Sequence, residues 1–95
     1  MVAAWSEPPR LGEGGGQAHI LVRLQKRGGK PFAGVDVQLT TSQGTLYSQG
    51  RLLTSNANGM TRDMLTTHHT ATVTVNAGGT RYRFKVAVAP DVVER

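Results

Sequence analysis

Histidine, serine and carboxylate side chains are the groups in this chain with chemistry to offer, and their spacing builds no reactive centre. His68 and His69 are its adjacent histidine pair, and His19 is distant in sequence. Neighbouring residues on a strand point to opposite faces, so the pair cannot easily share one metal ion unless it lies in a loop. There is no cysteine, which removes thiolate metal sites, a Cys nucleophile and any disulfide framework. A hydrolytic triad needs a nucleophile, a base and an orienting carboxylate converging in one pocket. The six carboxylates here are dispersed, and there is no G-x-S-x-G elbow. Calcium loops of the D-x-D-x-D-G type are also absent. Gly12-Glu13-Gly14-Gly15-Gly16 imitates a phosphate-cradling loop, but no strand is expected before it and no P-loop lysine follows. The sequence therefore predicts no catalytic residue, no cofactor and no metal site, and hence no enzyme.

The sharpest local feature is a basic stripe. Arg81, Arg83 and Lys85 fall on one face of a strand. With Arg23 they are the candidate contacts for a polyanion, through the phosphates of nucleic acid or the sulfates of an acidic glycan. Single-strand nucleic-acid binders also need aromatic platforms on the cationic face. Tyr82 and Phe84 alternate with the cations and so point the other way, which counts against nucleic acid. A solvated face that resists edge pairing explains the same residues. The net charge of +5 fits either reading, being ordinary for a small soluble domain.

The elements that must carry these residues are strands. Ninety-five residues make one domain at most. Val and Thr are frequent and helix formers sparse, a bias toward pleated surfaces. Residues 1–17 read as a flexible tail or linker, because Pro8-Pro9 and Gly14-Gly15-Gly16 bracket a segment without periodicity. Trp5 either docks on the domain or is a solvated remnant of an upstream neighbour. Ile20, Val22 and Leu24 alternate with His19, Leu21, Arg23 and Gln25, and Val35, Val37 and Leu39 alternate with Asp36, Gln38 and Thr40. Pro31 has no amide donor and marks a strand start or an edge. Thr45-Leu46-Tyr47 and Arg51-Leu52-Leu53-Thr54 are short candidate strands. Asn56-Ala57-Asn58-Gly59 is a turn. Met60 to Thr66 alternates poorly, and either register buries or half-buries a charge. An edge strand or a bulge is expected there. Ala71, Val73 and Val75 share a face, Gly78-Gly79 is a hairpin signal, and Tyr82, Phe84, Val86 and Val88 share a face before Pro90. The spacing predicts an all-β fold, an antiparallel sandwich of about seven strands over 18–90, with 91–95 as a C-terminal tail. The expected core is Ile20, Val22, Leu24, Val35, Val37, Leu39, Val73, Val75, Tyr82, Phe84, Val86 and Val88. No apolar run approaches the roughly 20 residues that span a bilayer, and no signal peptide is visible.

Several of these stretches resemble a known family. Gly29-Lys30-Pro31-Phe32-Ala33-Gly34-Val35-Asp36-Val37 is similar to the G-x-P-x-x-G-x-x-V opening of the bacterial immunoglobulin-like group 1 domain, the invasin and intimin repeat. Ser42-Gln43-Gly44-Thr45-Leu46, Thr54-Ser55-Asn56-Ala57-Asn58-Gly59 and Ala71-Thr72-Val73-Thr74-Val75-Asn76-Ala77 resemble its later segments in the right order, over roughly residues 18–89. There are departures. Ser55 stands where the family has an acidic residue. Thr61 stands at a small apolar position, and Asp63 at the next inward one. The carboxypeptidase-regulatory or transthyretin-like module shares K-P-x-x-G-x-x-V and the N-x-G turn, and is also a β-sandwich. The resemblance implies an immunoglobulin-like fold and a non-catalytic module of a larger bacterial surface or envelope protein, either a structural spacer or an adhesion domain. It implies protein or glycan partners, neighbouring domains in the same chain and an extracellular or envelope location. A basic domain for nucleic acid or acidic glycan, and an accessory domain of a secreted enzyme, are the alternatives.

Overall fold

Period-two alternation sorts the side chains of this chain onto two inner faces, and the structure follows it strand by strand. The computed structural model describes residues 1–89, so the stop at Pro90 and the 91–95 tail lie outside the described residues. The strands are β1 (Val2–Glu7), β2 (Arg10–Leu11), β3 (Gly16–Leu24), β4 (Asp36–Thr41), β5 (Thr45–Leu46), β6 (Leu53–Thr54), β7 (Met60–Thr67), β8 (Ala71–Ala77) and β9 (Thr80–Val88). One sheet runs β1-β3-β7-β5 and the other β2-β9-β8-β4-β6. The strand pairs are antiparallel except the short β2 with β9. The fold is an all-β sandwich, as expected.

Between the sheets, Ile20 and Val22 of β3 and Leu65 of β7 face Val37, Leu39, Val73, Val75 and Val86, all fully buried. Val35, Phe84 and Val88 are only partly buried against this core. Tyr82 departs from expectation: it is 38% exposed. Its strand has no hydrogen-bonded neighbour on its outer side over this stretch among the described residues, which leaves part of the ring open.

The first seventeen residues are not the flexible tail expected of them. Val2–Glu7 pair residue for residue with Leu24–His19 of β3, and Arg10–Leu11 pair with Ala87 and Val88 of β9. Ala4 and Leu11 join the core. The alternation was hidden because its inward residues, Ala4 and Ser6, are small. Pro8-Pro9 is a crossing from one sheet to the other, with the Glu7–Pro8 peptide cis. The glycine segment is a close approach rather than a linker. A Cβ on Gly15 would lie 2.0 Å from the Thr67 carbonyl oxygen, and φ there is +79°. Trp5 docks on the outer face of β1, opposite Leu21.

Strand β7 carries no bulge against β3, and among the described residues it is a sheet edge over Met60–Asp63, as expected, because β5 covers only its far end. It pairs with β3 from Met60 to Thr67 and with β5 at Leu65 and Thr66. The register that wins puts Thr61, Asp63, Leu65 and Thr67 inward. The chain runs lengthwise through the sandwich. Met1 bonds Gln25 beyond the last residue of β3, whereas Ala89 bonds Leu11 at the opposite end, beside the β7–β8 turn. The extents are 54 × 25 × 19 Å.

Candidate functional site

The hairpin at Gly78-Gly79 turns β8 into β9 and places the basic stripe. Both glycines have positive φ, +54° and +82°, as a tight two-residue turn with primed geometry requires. Ala77 therefore pairs with Thr80, and the register carries Arg81 opposite Asn76, Arg83 opposite Thr74 and Lys85 opposite Thr72. All three cations are exposed on one outer sheet face. The Arg81 Nε donates to Asn76 Oδ1 at 3.3 Å. Arg23 is not with them. It lies on β3 in the other sheet, opposite Ala3 and Met60, so the sandwich thickness separates it from the stripe. Spacing alone cannot show which sheet a strand joins. Tyr82 and Phe84 point inward from β9, their ring centroids 6.3 Å apart.

The histidines are dispersed. His19 projects from the outer face of β3, while the Nδ1 of His68 lies 2.8 Å from the Gly14 carbonyl and ties the glycine loop to the β7–β8 turn. Among the described residues no three metal-ligating side chains cluster.

Asp63, whose place the sequence left open, organises a second exposed region. It is 3% exposed and faces inward from β7. Its Oδ1 accepts from the backbone amides of Ser48 at 2.9 Å and Met64 at 2.8 Å, and its Oδ2 accepts from the Ser48 hydroxyl at 2.5 Å. A buried carboxylate is tolerable only when its oxygens are satisfied by donors, and these three do so. The bonds pin the turn after β5, where Gln49 takes a left-handed φ of +56° and the Arg51 Nε donates to the Ser48 carbonyl. Because Ser48 and Asp63 are both buried, their hydroxyl–carboxylate pair offers no nucleophile to solvent.

The pinned turn holds Tyr47 out at 81% exposure. On one side is a shallow groove of about 380 Å³ lined by Gln17, Tyr47, Gln49, Arg51 and Thr66. On the other, Tyr47 meets His19, Arg62 and Met64 on the outer face of the β1-β3-β7-β5 sheet. Trp5, Leu21 and Arg62 form a row across that face. Sequence reasoning did not single out this face. Its residues come from four separate segments, and only the sheet order brings them together.

Ser55 explains another departure from the family pattern. It is buried, its hydroxyl donates to the Phe32 carbonyl at 2.7 Å, and it accepts from the Val35 amide at 2.9 Å. A hydroxyl thus satisfies the loop backbone before β4. Thr61 has no such match, and its Oγ1 is buried without a partner.

No protein-family model and no curated protein matches the chain. Solved structures do. The chain superposes on the Yersinia pseudotuberculosis adhesin InvE with a TM-score of 0.73 at 23% identity, over 94% of this chain and 26% of that one. Yersinia pseudotuberculosis InvD gives 0.69 at 20% identity, over 90% and 27%. The fold is that of invasin- and intimin-type domains. A C-terminal fragment of intimin, solved with the intimin-binding domain of the translocated intimin receptor, gives 0.65 at 19% identity, over 90% of this chain and 30% of that one. The chain thus spans 26% to 30% of the length of these solved chains. The likeness bears out the invasin and intimin resemblance at the level of fold.

Proposed function

We propose that this chain is a non-catalytic module of a bacterial surface or envelope protein, serving as a spacer or adhesion domain through protein or glycan contacts. The observation that carries the reading is the lengthwise path of the chain through an invasin-type fold. Met1 and Ala89 lie at opposite ends of a body 54 Å long. The chain therefore enters and leaves the described body at opposite ends, which is the geometry a rod needs. The reactive groups support the same reading. Ser48 and Asp63 are spent on one turn, and His68 on the glycine loop.

The polyanion reading has less support. Its cations are reduced to Arg81, Arg83 and Lys85, and Arg23 lies on the other sheet. The test is a set of chains carrying one, two and three copies joined head to tail, measured by small-angle scattering. A rod lengthens by the same increment with each added copy, an increment no larger than the 54 Å extent of one body. Copies that fold back into a compact particle would overturn the spacer reading.

A further inference from the structure

The alternation of β9 acquires its meaning from what lies beside it. β1 and β2 are one run of chain divided between two sheets at Pro8-Pro9. Because Val2–Glu7 go to β3, only Arg10–Leu11 reach β9, where they cover Ala87 and Val88. From Thr80 to Val86, β9 has β8 on one side and no hydrogen-bonded strand among the described residues on the other, although β1 of the other sheet comes within 8 Å of β9 between Cα atoms. Its outward backbone groups there make no ladder bonds among the described residues.

Both faces of this stretch are specialised. Outside stand Arg81, Arg83 and Lys85, and the residues opposite them on β8 are Asn76, Thr74 and Thr72, none acidic. Inside stand the exposed Tyr82 and the half-buried Phe84. Cations alone are an ordinary way to blunt an edge against self-pairing. Cations on one side combined with open aromatic surface on the other select a strand of one pattern instead.

We propose that the β9 edge from Thr80 to Val86 receives an extended strand from a protein partner in which acidic and apolar side chains alternate. This rests on the reading of the chain as an interaction module. An added strand would bond its backbone to β9. Alternate side chains then fall on opposite faces, so the acidic ones meet Arg81, Arg83 and Lys85 and the apolar ones cover Tyr82 and Phe84. A second copy of the same edge is a poor occupant, because it would set cations directly against cations. β2 already takes the strand position on this edge just beyond the stretch, at Ala87 and Val88.

The test uses the full chain labelled with nitrogen-15, at about 0.1 M salt where the Debye length is roughly 10 Å. It is titrated with a nine-residue peptide alternating Glu and Val, a scrambled peptide of the same composition, heparin and single-stranded DNA. The alternating peptide is expected to bind and to slow hydrogen exchange along Thr80–Val86. Replacing the three cations together (Arg81→Glu, Arg83→Glu, Lys85→Glu) should weaken it about tenfold, as three cross-strand ion pairs would, and an alternating Lys and Val peptide should bind that variant instead. Methylating the peptide nitrogens that face β9 should abolish binding to the unaltered chain. Equal binding by the scrambled or methylated peptide, or no binding, would overturn the proposal. So would shifts with heparin or DNA alone, without slowed exchange on β9, which point to a polyanion. The tandem-copy scattering needs none of these ligands, so the spacer reading stands or falls separately.

Discussion

Removing the Asp63 carboxylate should cost this domain a large share of its stability, whereas removing only its charge should not. In Asp63→Ala, three donors lose their acceptor: the Ser48 amide, the Ser48 hydroxyl and the Met64 amide. Ser48 is 5% exposed, so water cannot readily replace the carboxylate. Each stranded buried donor costs about 1–3 kcal/mol, and two such donors with a weakened third give about 3–5 kcal/mol. At roughly 0.05–0.15 kcal/mol per residue, a chain of 95 residues has about 5–14 kcal/mol of net stability, so the loss takes a large share. Asp63→Asn keeps the shape. Its amide oxygen still accepts from both backbone amides, and its nitrogen can donate to a reoriented Ser48 hydroxyl. What is lost is the charge assistance, about 1 kcal/mol. Urea unfolding followed by Trp5 fluorescence and far-ultraviolet circular dichroism measures both changes, provided the slopes stay equal. Hydrogen exchange at the Tyr47 and Ser48 amides reports whether the turn has come loose. A loss under about 1 kcal/mol for Asp63→Ala would refute the reasoning. So would equal losses for Ala and Asn, or strict additivity between Asp63→Ala and Ser48→Ala, since residues sharing a network couple by about 0.5–3 kcal/mol.

Other substitutions probe the remaining departures. Thr61→Val replaces an unpartnered buried hydroxyl with a methyl of similar size, and chemical denaturation should show a gain of about 1 kcal/mol. Ser55→Ala leaves the Val35 amide without its acceptor and should cost about 1–3 kcal/mol, with faster exchange at Val35 as the local sign. Gly15→Ala drives a Cβ against the Thr67 carbonyl in a left-handed backbone, and thermal unfolding should register a loss of more than about 1 kcal/mol. Deleting residues 1–11 strips β1 and β2 and withdraws Ala4 and Leu11 from the core. Burial of Leu11 alone is worth about 2 kcal/mol, so the truncated chain should melt well below the full one; an unchanged melting temperature would restore the flexible-tail expectation.

What the residues determined alone is the set of strands from β3 onward and the class of fold. Ile20-Val22-Leu24, Val37-Leu39, Val73-Val75 and Val86 each declare an inward face through period-two alternation, which is local and needs no knowledge of neighbours. Gly78-Gly79 likewise declares its hairpin, since positive φ at both residues is a property of the turn itself. The first strand escaped because Ala4 and Ser6 are too small to mark a buried face, and because Pro8-Pro9 signals a break whether the chain leaves the domain or changes sheet. Tertiary structure decided what depends on partners distant in sequence. Asp63 looked misplaced in any register, since two of the three donors that make its burial tolerable come from Ser48, fifteen positions away. Arg23 was grouped with Arg81, Arg83 and Lys85 by charge, but strand pairing put it in the other sheet. The same pairing left β9 as an edge over Thr80–Val86, and turned an alternation of basic and aromatic residues into an open strand with two different faces. Alternation tells each side chain which way to point; only the order of strands in the sheets decides what it points at.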